Sequence, residues 1–171
     1  MRKSKIESLN LIEGVVARMY QCDVTRVSEE SQNNEYEGTT LFVGNKSLRI
    51  RLAKKTPTKQ GYFVVLWEKD DRGQNKPFDA YNSPELLVVC VIDNQQKGAF
   101  LFPKVLLVQQ KILSSQQTQG KMAFRVYPDW VVELNKTAQR TQTWQKNYFV
   151  DLSTDQVDED RFKRLLSKSN C

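Results

Sequence analysis

The sequence contains no histidine among its 171 residues. Histidine is the side chain most often used as a general base and as a ligand of transition metals. Its absence excludes Ser-His-Asp and Cys-His catalysis, and it excludes the H-E-x-x-H type of zinc site. Any catalysis by this chain would therefore rest on carboxylates, lysines or tyrosines, or on a hard cation held by oxygen ligands.

Cysteines are few, and the chain has no long apolar run. Cys22, Cys90 and Cys171 are scattered and show no metal-site spacing, which fits free thiols in a reducing compartment. The longest strongly apolar run, residues 86–92, is far shorter than the roughly 18 residues of a membrane span. The charged N-terminus is not followed by the apolar stretch of a secretory signal. We therefore predict a cytoplasmic protein without a membrane partner.

The remaining composition is that of an ordinary folded protein. Hydrophobic residues make up 39% of the chain and charged residues 27%, so global disorder is not expected. A chain of this length buries a real core within one domain. We predict a single domain over residues 1–171.

Hydrophobic periodicity predicts a mixed fold of helices and strands. Helical spacing of apolar residues predicts an N-terminal amphipathic helix over about residues 4–20, and a C-terminal helix is predicted over about residues 157–168. Residues 28–34 read as a loop. Between about residues 36 and 150, strands are predicted at 36–43, 48–53, 62–67, 86–92, 99–102 and 122–127, and helices at 103–113 and 137–146. This order predicts an α+β domain with a central mixed β-sheet flanked by helices.

Positive charge is concentrated in two central blocks of a chain whose formal net charge is +6. Residues 46–69 contain seven basic residues and one acidic residue, and residues 97–127 contain five basic residues and no acidic one. A concentrated basic face attracts polyanions. The alternative is that these lysines and arginines are ordinary solvated side chains.

The first basic stretch, residues 49–59, is typical of a phosphate-binding segment. Strict alternation in residues 48–52 places Arg49 and Arg51 on the face opposite the apolar one. A proline-stiffened loop follows, and its basic and hydroxyl groups include Lys54, Lys55, Thr58 and Lys59. Such groups neutralise phosphates and donate to their oxygens. The alternative is a solvated hairpin connection.

The second stretch, residues 120–130, combines cations with aromatic rings. A regular strand projects Lys121, Arg125 and Tyr127 from one side, and Trp130 follows closely. Aromatic faces on a basic surface stack nucleobases, each worth roughly 1–3 kcal/mol. The alternative is that both rings are half-buried core residues with satisfied polar ends.

The third stretch lies on the penultimate predicted helix. Trp144 and Tyr148 lie four residues apart and are interpreted mainly as packing that helix against the sheet. Gln142 and Gln145 on the same helix are candidate donors to a ligand.

Together, four stretches of the chain resemble the MepB-like protein family. The resemblance covers roughly residues 9–149, and the combination of its motifs is specific. The patterns are Lys54-x-Thr56-Pro57-Thr58-Lys59-x-Gly61-x-Phe63 with Trp67, Gly98-x-Phe100-x-Phe102-Pro103-Lys104, Gly120-Lys121-x-x-x-Arg125-x-Tyr127-Pro128-x-Trp130, and Thr141-Gln142-x-Trp144-Gln145.

The resemblance implies a bacterial cytoplasmic protein, in a family named for a partner gene of a multidrug-efflux operon. It also implies a restriction-endonuclease-like core, similar to that of PD-(D/E)XK enzymes, in which a helix, three antiparallel strands, a helix and a further strand follow one another. The predicted element order agrees with that core. Nucleic acid is the partner that the resemblance implies.

The nuclease signature itself is missing from this chain. PD-(D/E)XK enzymes bind Mg²⁺ through carboxylates and place a lysine two residues after one of them, and metal and lysine together activate water. No Asp or Glu of this chain has a lysine at that position, and near the third predicted strand the sequence reads Glu68-Lys69-Asp70. We therefore predict no catalytic residue, no metal ligand and no cofactor. Cations at cleft positions favour holding a phosphate backbone over cutting it.

These observations predict a non-catalytic nucleic-acid-binding protein in a bacterial drug-resistance or stress response. Single-stranded DNA or RNA is favoured over sequence-specific duplex DNA because no recognition-helix motif is present. No motif indicates a protein partner. The predicted binding residues are Arg49, Arg51, Lys54, Lys55, Thr58, Lys59, Lys69, Lys104, Lys121, Arg125, Tyr127, Trp130, Gln142 and Gln145.

Two alternatives stay open at this point. One is a divergent Mg²⁺-dependent nuclease whose carboxylates, such as Glu37, Asp79 and Asp93, meet only in the fold. The other is a regulatory module that binds a small molecule or a protein.

Overall fold

A six-stranded mixed sheet forms the centre of this computed structural model, which describes residues 6–19 and 23–167. β3 (Lys46–Leu52) and β8 (Leu86–Asp93) are parallel, and every other neighbouring pair in this sheet is antiparallel. The prediction of a central mixed sheet is confirmed. In their order across the sheet the strands are β1 (Val24–Glu29), β2 (Thr39–Val43), β3 (Lys46–Leu52), β8 (Leu86–Asp93), β9 (Gln96–Pro103) and β11 (Phe149–Asp151).

Two smaller sheets are built largely from the chain between β3 and β8. A parallel pair needs a crossover connection of a dozen or more residues, and here residues 53–85 provide it. The predicted strand at 62–67 is divided between these two sheets. One sheet joins β10 (Ala123–Val126), β5 (Tyr62–Val65) and β4 (Lys54–Lys55), and the other pairs β6 (Trp67–Lys69) with β7 (Asn75–Pro77).

Helices cover both faces of the central sheet, as predicted. One face packs against α1 (Glu7–Met19) and α4 (Glu159–Ser167), and the other against α2 (Lys104–Gln109), α3 (Lys136–Gln145) and the sheet of β4, β5 and β10. Predicted helix residues 4, 5, 20 and 168 lie outside the described residues, as do Cys22 and Cys171. No described helix has the length and apolar character needed to cross a membrane.

β8 shows why the fold has two hydrophobic layers. Successive side chains of a strand point to opposite faces. Leu87, Val89 and Val91 therefore join the layer of α2 and α3, and their neighbours Val88 and Cys90 join the layer of α1 and α4. A strand buried on both faces is a continuous apolar run, which is why the sequence revealed it.

The short strands β4, β7 and β11 were not predicted, and three further elements differ from the prediction. Residues 28–34 were expected to form a loop, but they contain the end of β1 and most of the 3₁₀ helix Ser31–Tyr36. β1 was missed because most of its side chains are exposed on both faces, so it has no alternating apolar pattern. The helix predicted at 103–113 ends at Gln109, just before Lys111 adopts a left-handed φ of 58°.

The polar face of β3 is buried, which corrects the expectation that its arginines lie on a basic surface. Arg51 is 0% exposed, and Arg49 is also buried. The guanidinium of Arg49 lies 3.7 Å from the centre of the Phe78 ring, at the start of the segment that leads into β8. Alternation identified the face correctly, but the crossover covers that face. These two arginines are therefore removed from the set of candidate binding residues.

The two buried guanidinium groups share one carboxylate, that of Glu30. Arg49 Nε donates to Glu30 Oε1 at 2.8 Å, and Arg51 Nη2 donates to Glu30 Oε2. Arg51 also donates to the carbonyls of Val65, at 3.1 Å, and Ile50, at 3.0 Å. Burial lowers the pKa of Arg51 to about 10, against the opposing effect of Glu30. Arg51 therefore stays charged at neutral pH, and it ties β3 to β5.

Replacing Glu30 with alanine leaves two buried cations without their carboxylate. Removal of one partner of a buried ion pair costs about 3–5 kcal/mol, so we expect the free energy of unfolding to fall by that amount. Urea denaturation followed by circular dichroism measures it. Glu29→Ala, at an exposed position of β1, is the control and is expected to change stability little. Equal stability of the two variants would contradict the assigned role of Glu30.

Candidate functional site

Three adjoining cavities lie between the loop after β4, strand β10 and helix α3. The first has a volume of about 450 Å³, the second of about 250 Å³ and the third of about 170 Å³. Arg125 and Tyr127 line both the first and the second, and Lys59 and Gln60 line both the first and the third. We call the three cavities together the central groove, whose lining includes Lys55, Thr58, Lys59, Gln60, Asp93, Lys121, Arg125, Trp130, Glu133, Asn135 and Thr137.

Arg125 holds the loop of residues 56–61 against β10. Its Nη2 donates to Thr56 Oγ1 and to the Gln60 carbonyl at 2.8 Å each, and it contacts the Lys59 and Gly61 carbonyls at 3.2 Å. Its Nε donates to the same Gln60 carbonyl at 3.2 Å. Nη1 donates to no group among the described residues, so it remains available to a ligand. Arg125 therefore holds the loop through its Nε and Nη2 groups.

The end of this loop is fitted to the ring of Tyr127. Gly61 has a φ of +82°, a left-handed conformation that favours glycine, and a Cβ at this position would lie 2.6 Å from two carbons of the Tyr127 ring. Tyr127 itself is 9% exposed and belongs to the hydrophobic core. The expectation that Tyr127 stacks a nucleobase is corrected, because its ring is covered by the protein.

Gln145 and Gln142 bind the protein's own backbone. Gln145 is 0% exposed, and its side-chain amide accepts from the Tyr127 N–H at 2.9 Å and donates to the Arg125 carbonyl at 2.9 Å. These two bonds are of the kind that a neighbouring strand would make with the open edge of β10. Gln142 Nε2 donates to the carbonyls of Pro128 and Val131, at 3.1 and 3.0 Å. The expectation that these two amides contact a ligand is corrected, since both fix α3 to β10 and the turn that follows.

A chain of hydrogen bonds crosses the third cavity. Trp130 Nε1 donates to the Tyr62 hydroxyl at 3.0 Å, and this hydroxyl donates to Asp93 Oδ2 at 2.6 Å. The Lys55 ammonium lies 3.6 Å from the same oxygen. Burial, followed by the bond to Asp93, raises the pKa of Tyr62 to about 12. Trp130 also meets Phe149 edge-on, so the expectation that it stacks bases is corrected.

The other predicted cations are distributed unevenly around the groove. Lys55, Lys59 and Lys121 are exposed along it. Lys54 lies 5.1 Å above the Tyr36 ring and Lys69 lies 5.2 Å above the Trp67 ring, in cation–π contacts. Neither of these two lines the groove, and nor does Lys104 at the start of α2. The predicted residues that the fold brings together along the groove are thus Lys55, Thr58, Lys59, Lys121 and Arg125, together with Tyr127, Trp130 and Gln145, whose side chains are held in its walls.

The start of α3 forms a wall that the sequence analysis missed. Glu133, Asn135 and Thr137 line the first cavity, and the Asn135 side chain caps the helix by accepting from the Ala138 N–H at 2.9 Å. An asparagine just before a helix is a recognisable start signal, and it places the beginning of α3 one residue before the predicted 137.

The carboxylates of the nuclease alternative have separate structural roles. Glu37 caps α1 by accepting from the N–H groups of Glu7, at 2.6 Å, and Ser8, at 3.1 Å. Asp79 accepts from the backbone and side chain of Asn82, at 2.8 and 3.1 Å, and Asp93 accepts from Tyr62. Within residues 6–19 and 23–167, no group of three or more acidic or cysteine side chains is placed to hold a metal ion.

The central groove lies within the part of the chain that a known family matches. A family model described as MepB-like matches residues 30–151, which include the loop of residues 56–61, β10 and α3. A solved structure, the crystal structure of MepB, has a TM-score of 0.77 and 42% sequence identity, covering 91% of this chain and 100% of that chain. No curated protein matches this chain.

Replacing Gln145 with alanine removes both bonds to the open edge of β10. Leaving buried backbone groups unpaired costs about 1–3 kcal/mol each, so we expect the free energy of unfolding to fall by at least about 1 kcal/mol. Thermal and urea denaturation measure the change. The control is Asn147→Ala at an exposed position nearby, which is expected to leave stability unchanged within about 0.5 kcal/mol.

Tyr62 is expected to titrate later than an ordinary tyrosine. Its pKa is raised from 10.0 to about 12, so its neutral form stabilises the fold below pH 10 and this stabilisation is lost as pH rises towards 12. Tyrosinate absorbance in an alkaline titration measures this step. The Tyr62→Phe variant is expected to lack the step near pH 12, and its persistence in that variant would show that another tyrosine produces it.

Proposed function

This chain belongs to the MepB-like family, and on that premise we propose that it binds nucleic acid along the central groove without cutting it. The observation that carries the proposal is that four cations, Lys55, Lys59, Lys121 and Arg125, line one set of adjoining cavities. They come from both basic blocks of the sequence. A row of cations along a groove is suited to the regular negative charges of a phosphate backbone.

The lysines and the arginine of the groove have different tasks. Lys59 and Lys121 are exposed, so they neutralise phosphates as point charges and release counterions, whereas Lys55 is paired with Asp93. Arg125 is fixed by the loop carbonyls, and its Nη1 remains available for a phosphate oxygen. The hydroxyls of Thr58 and Thr137 add neutral donors to the first cavity.

Two carboxylates also line the groove, but they do not reverse its sign. Asp93 is hydrogen-bonded by Tyr62 and paired with Lys55 at 3.6 Å, so its charge is largely compensated. Glu133 lies at the junction of the first and third cavities, and it repels phosphate from that side. We therefore place the phosphate path on the side of Lys59, Arg125 and Lys121.

The separate positions of the carboxylates support binding of nucleic acid without cleavage. We propose that the core is related to that of PD-(D/E)XK endonucleases, because α1 is followed by the three antiparallel strands β1, β2 and β3. A nuclease of that class needs carboxylates grouped around Mg²⁺. Glu37, Asp79 and Asp93 are instead occupied separately, as a helix cap, in a turn and in an ion pair.

We propose the cytoplasm as the location, in a bacterial drug or stress response. A buried, unpaired thiol at Cys90, whose pKa burial raises, fits a reducing compartment. The family's connection with a multidrug-efflux operon suggests the physiological setting.

Affinity for a single-stranded oligonucleotide is expected to fall steeply with salt. Each neutralised phosphate of a single strand contributes about 0.7 to the slope of log affinity against log salt. The double variant Lys59→Gln/Lys121→Gln is expected to bind more weakly and to reduce this slope by about 1.4. Fluorescence anisotropy at several salt concentrations measures both effects, with single-stranded DNA, RNA and duplex DNA as probes.

The matched control removes two charges from the opposite face. Arg18 on α1 and Arg164 on α4 are exposed, so Arg18→Gln/Arg164→Gln changes net charge equally and is expected to leave the slope unchanged. A labelled strand incubated with the protein and Mg²⁺ is expected to remain intact. A flat salt response of the unmodified protein, or cleavage that an Asp93→Asn variant abolishes, would overturn the proposal.

A further inference from the structure

Tyr81 is the exposed aromatic side chain of the described residues. It is 93% exposed, whereas every other described Phe, Tyr and Trp is buried or partly buried. Tyr127 and Trp130, the rings that the sequence favoured, are held by the core and by hydrogen bonds. If a ring of the described chain stacks on a ligand, Tyr81 is the one with open faces.

The turn that carries Tyr81 is fixed from several sides. Asp79 accepts two hydrogen bonds from Asn82, and Ser83 Oγ donates to the Asp79 carbonyl at 2.6 Å. The Ala80 N–H donates to the Ser114 carbonyl at 2.9 Å, which anchors the turn to a second loop. A ring presented on such a turn loses little conformational freedom when a ligand binds, and this lowers the cost of binding.

A cavity of about 460 Å³ lies beside the ring. Its surface is mostly apolar, which suits the face of an aromatic ring, and its polar side chains are hydroxyls and carboxamides. Its charged member is the Asp79 carboxylate, which repels phosphate and so favours an uncharged ring. The lining residues are Asp79, Ala80, Tyr81, Ser114, Ser115, Gln116 and Gln117.

One loop connects this cavity with the phosphate path of the central groove. Ser114, in the cavity wall, accepts from the Gly120 N–H at 2.8 Å, and Gly120 precedes Lys121 in the chain. Consecutive Cα atoms are about 3.8 Å apart, so the backbone of Lys121 lies next to the residue that bonds to the cavity wall. The loop of residues 112–121 is closed at its base by the bond from the Lys121 N–H to the Ile112 carbonyl at 3.0 Å. One short loop therefore contributes to both sites.

We propose that Tyr81 is a base-stacking platform for single-stranded nucleic acid whose phosphates lie along the central groove. This inference rests on the proposed function, and it names the side chain that would give a preference for single strands. An unpaired base has a free face and edge, which the ring and the loop of residues 114–117 take up together. A base inside a duplex is already stacked on both faces, so it gains nothing from Tyr81.

The test combines ring variants with an oligonucleotide that lacks bases. Tyr81→Ala is expected to weaken binding of a single-stranded oligonucleotide about 5- to 150-fold, the equivalent of one base stack, without changing the salt slope. Tyr81→Phe is the matched control and is expected to keep most of the affinity. An abasic oligonucleotide of equal length carries the same phosphates, so the unmodified protein and Tyr81→Ala are expected to bind it equally.

The outcomes separate this inference from the proposed function. If the unmodified protein binds single strands with a steep salt slope but Tyr81→Ala binds them equally well, stacking by Tyr81 is overturned and the basic groove stands. If the unmodified protein binds no nucleic acid at low salt, both proposals fail. The variant side chain is exposed, so an unchanged melting temperature is expected to accompany each result.

Discussion

The carboxylate of Glu30, placed between the guanidinium groups of Arg49 and Arg51, is the interaction on which the candidate site depends. β3 joins the parallel strand β8 through a crossover that lies over its polar face, so the charges of that face are buried. Buried charges persist only when they are paired and hydrogen-bonded. Arg49 also contacts the Phe78 ring, and Arg51 donates to the Val65 carbonyl. These contacts fix the crossover that contains the loop of residues 56–61.

The groove shows a division of work between its polar side chains. Arg125 and Gln145 form hydrogen bonds mainly with the protein's own backbone. Arg125 gives the loop of residues 56–61 a defined shape, and Gln145 does so for the open edge of β10. The lysines around them hold no comparable network. A hydrogen-bonded backbone with exposed lysine side chains suits a nucleic acid, whose phosphates are evenly spaced whatever its base sequence.

Much of the fold was readable from the sequence because burial leaves a periodic pattern. α1 and β8 are examples, since their apolar residues recur at helical spacing or in an unbroken run. The same reasoning placed Arg49 and Arg51 on one face, but periodicity does not report whether a later segment covers that face. It also could not distinguish a stacking ring from a packing ring at Tyr127, because both alternate with apolar neighbours. Tyr81 lies in a turn without periodicity, where exposure is decided by tertiary structure alone.

The hydrogen bonds by which Arg125 holds the loop of residues 56–61 also affect how the newly synthesised chain folds. Arg125 is synthesised 65 residues after Gln60, whose carbonyl accepts hydrogen bonds from its guanidinium. At about 5–20 residues per second, a translating ribosome takes roughly 3–13 s to bridge that interval. During this time the lysine-rich segment emerges without its shape, and contacts of such long sequence separation form late. The groove can therefore form only after both basic blocks of the sequence have been synthesised.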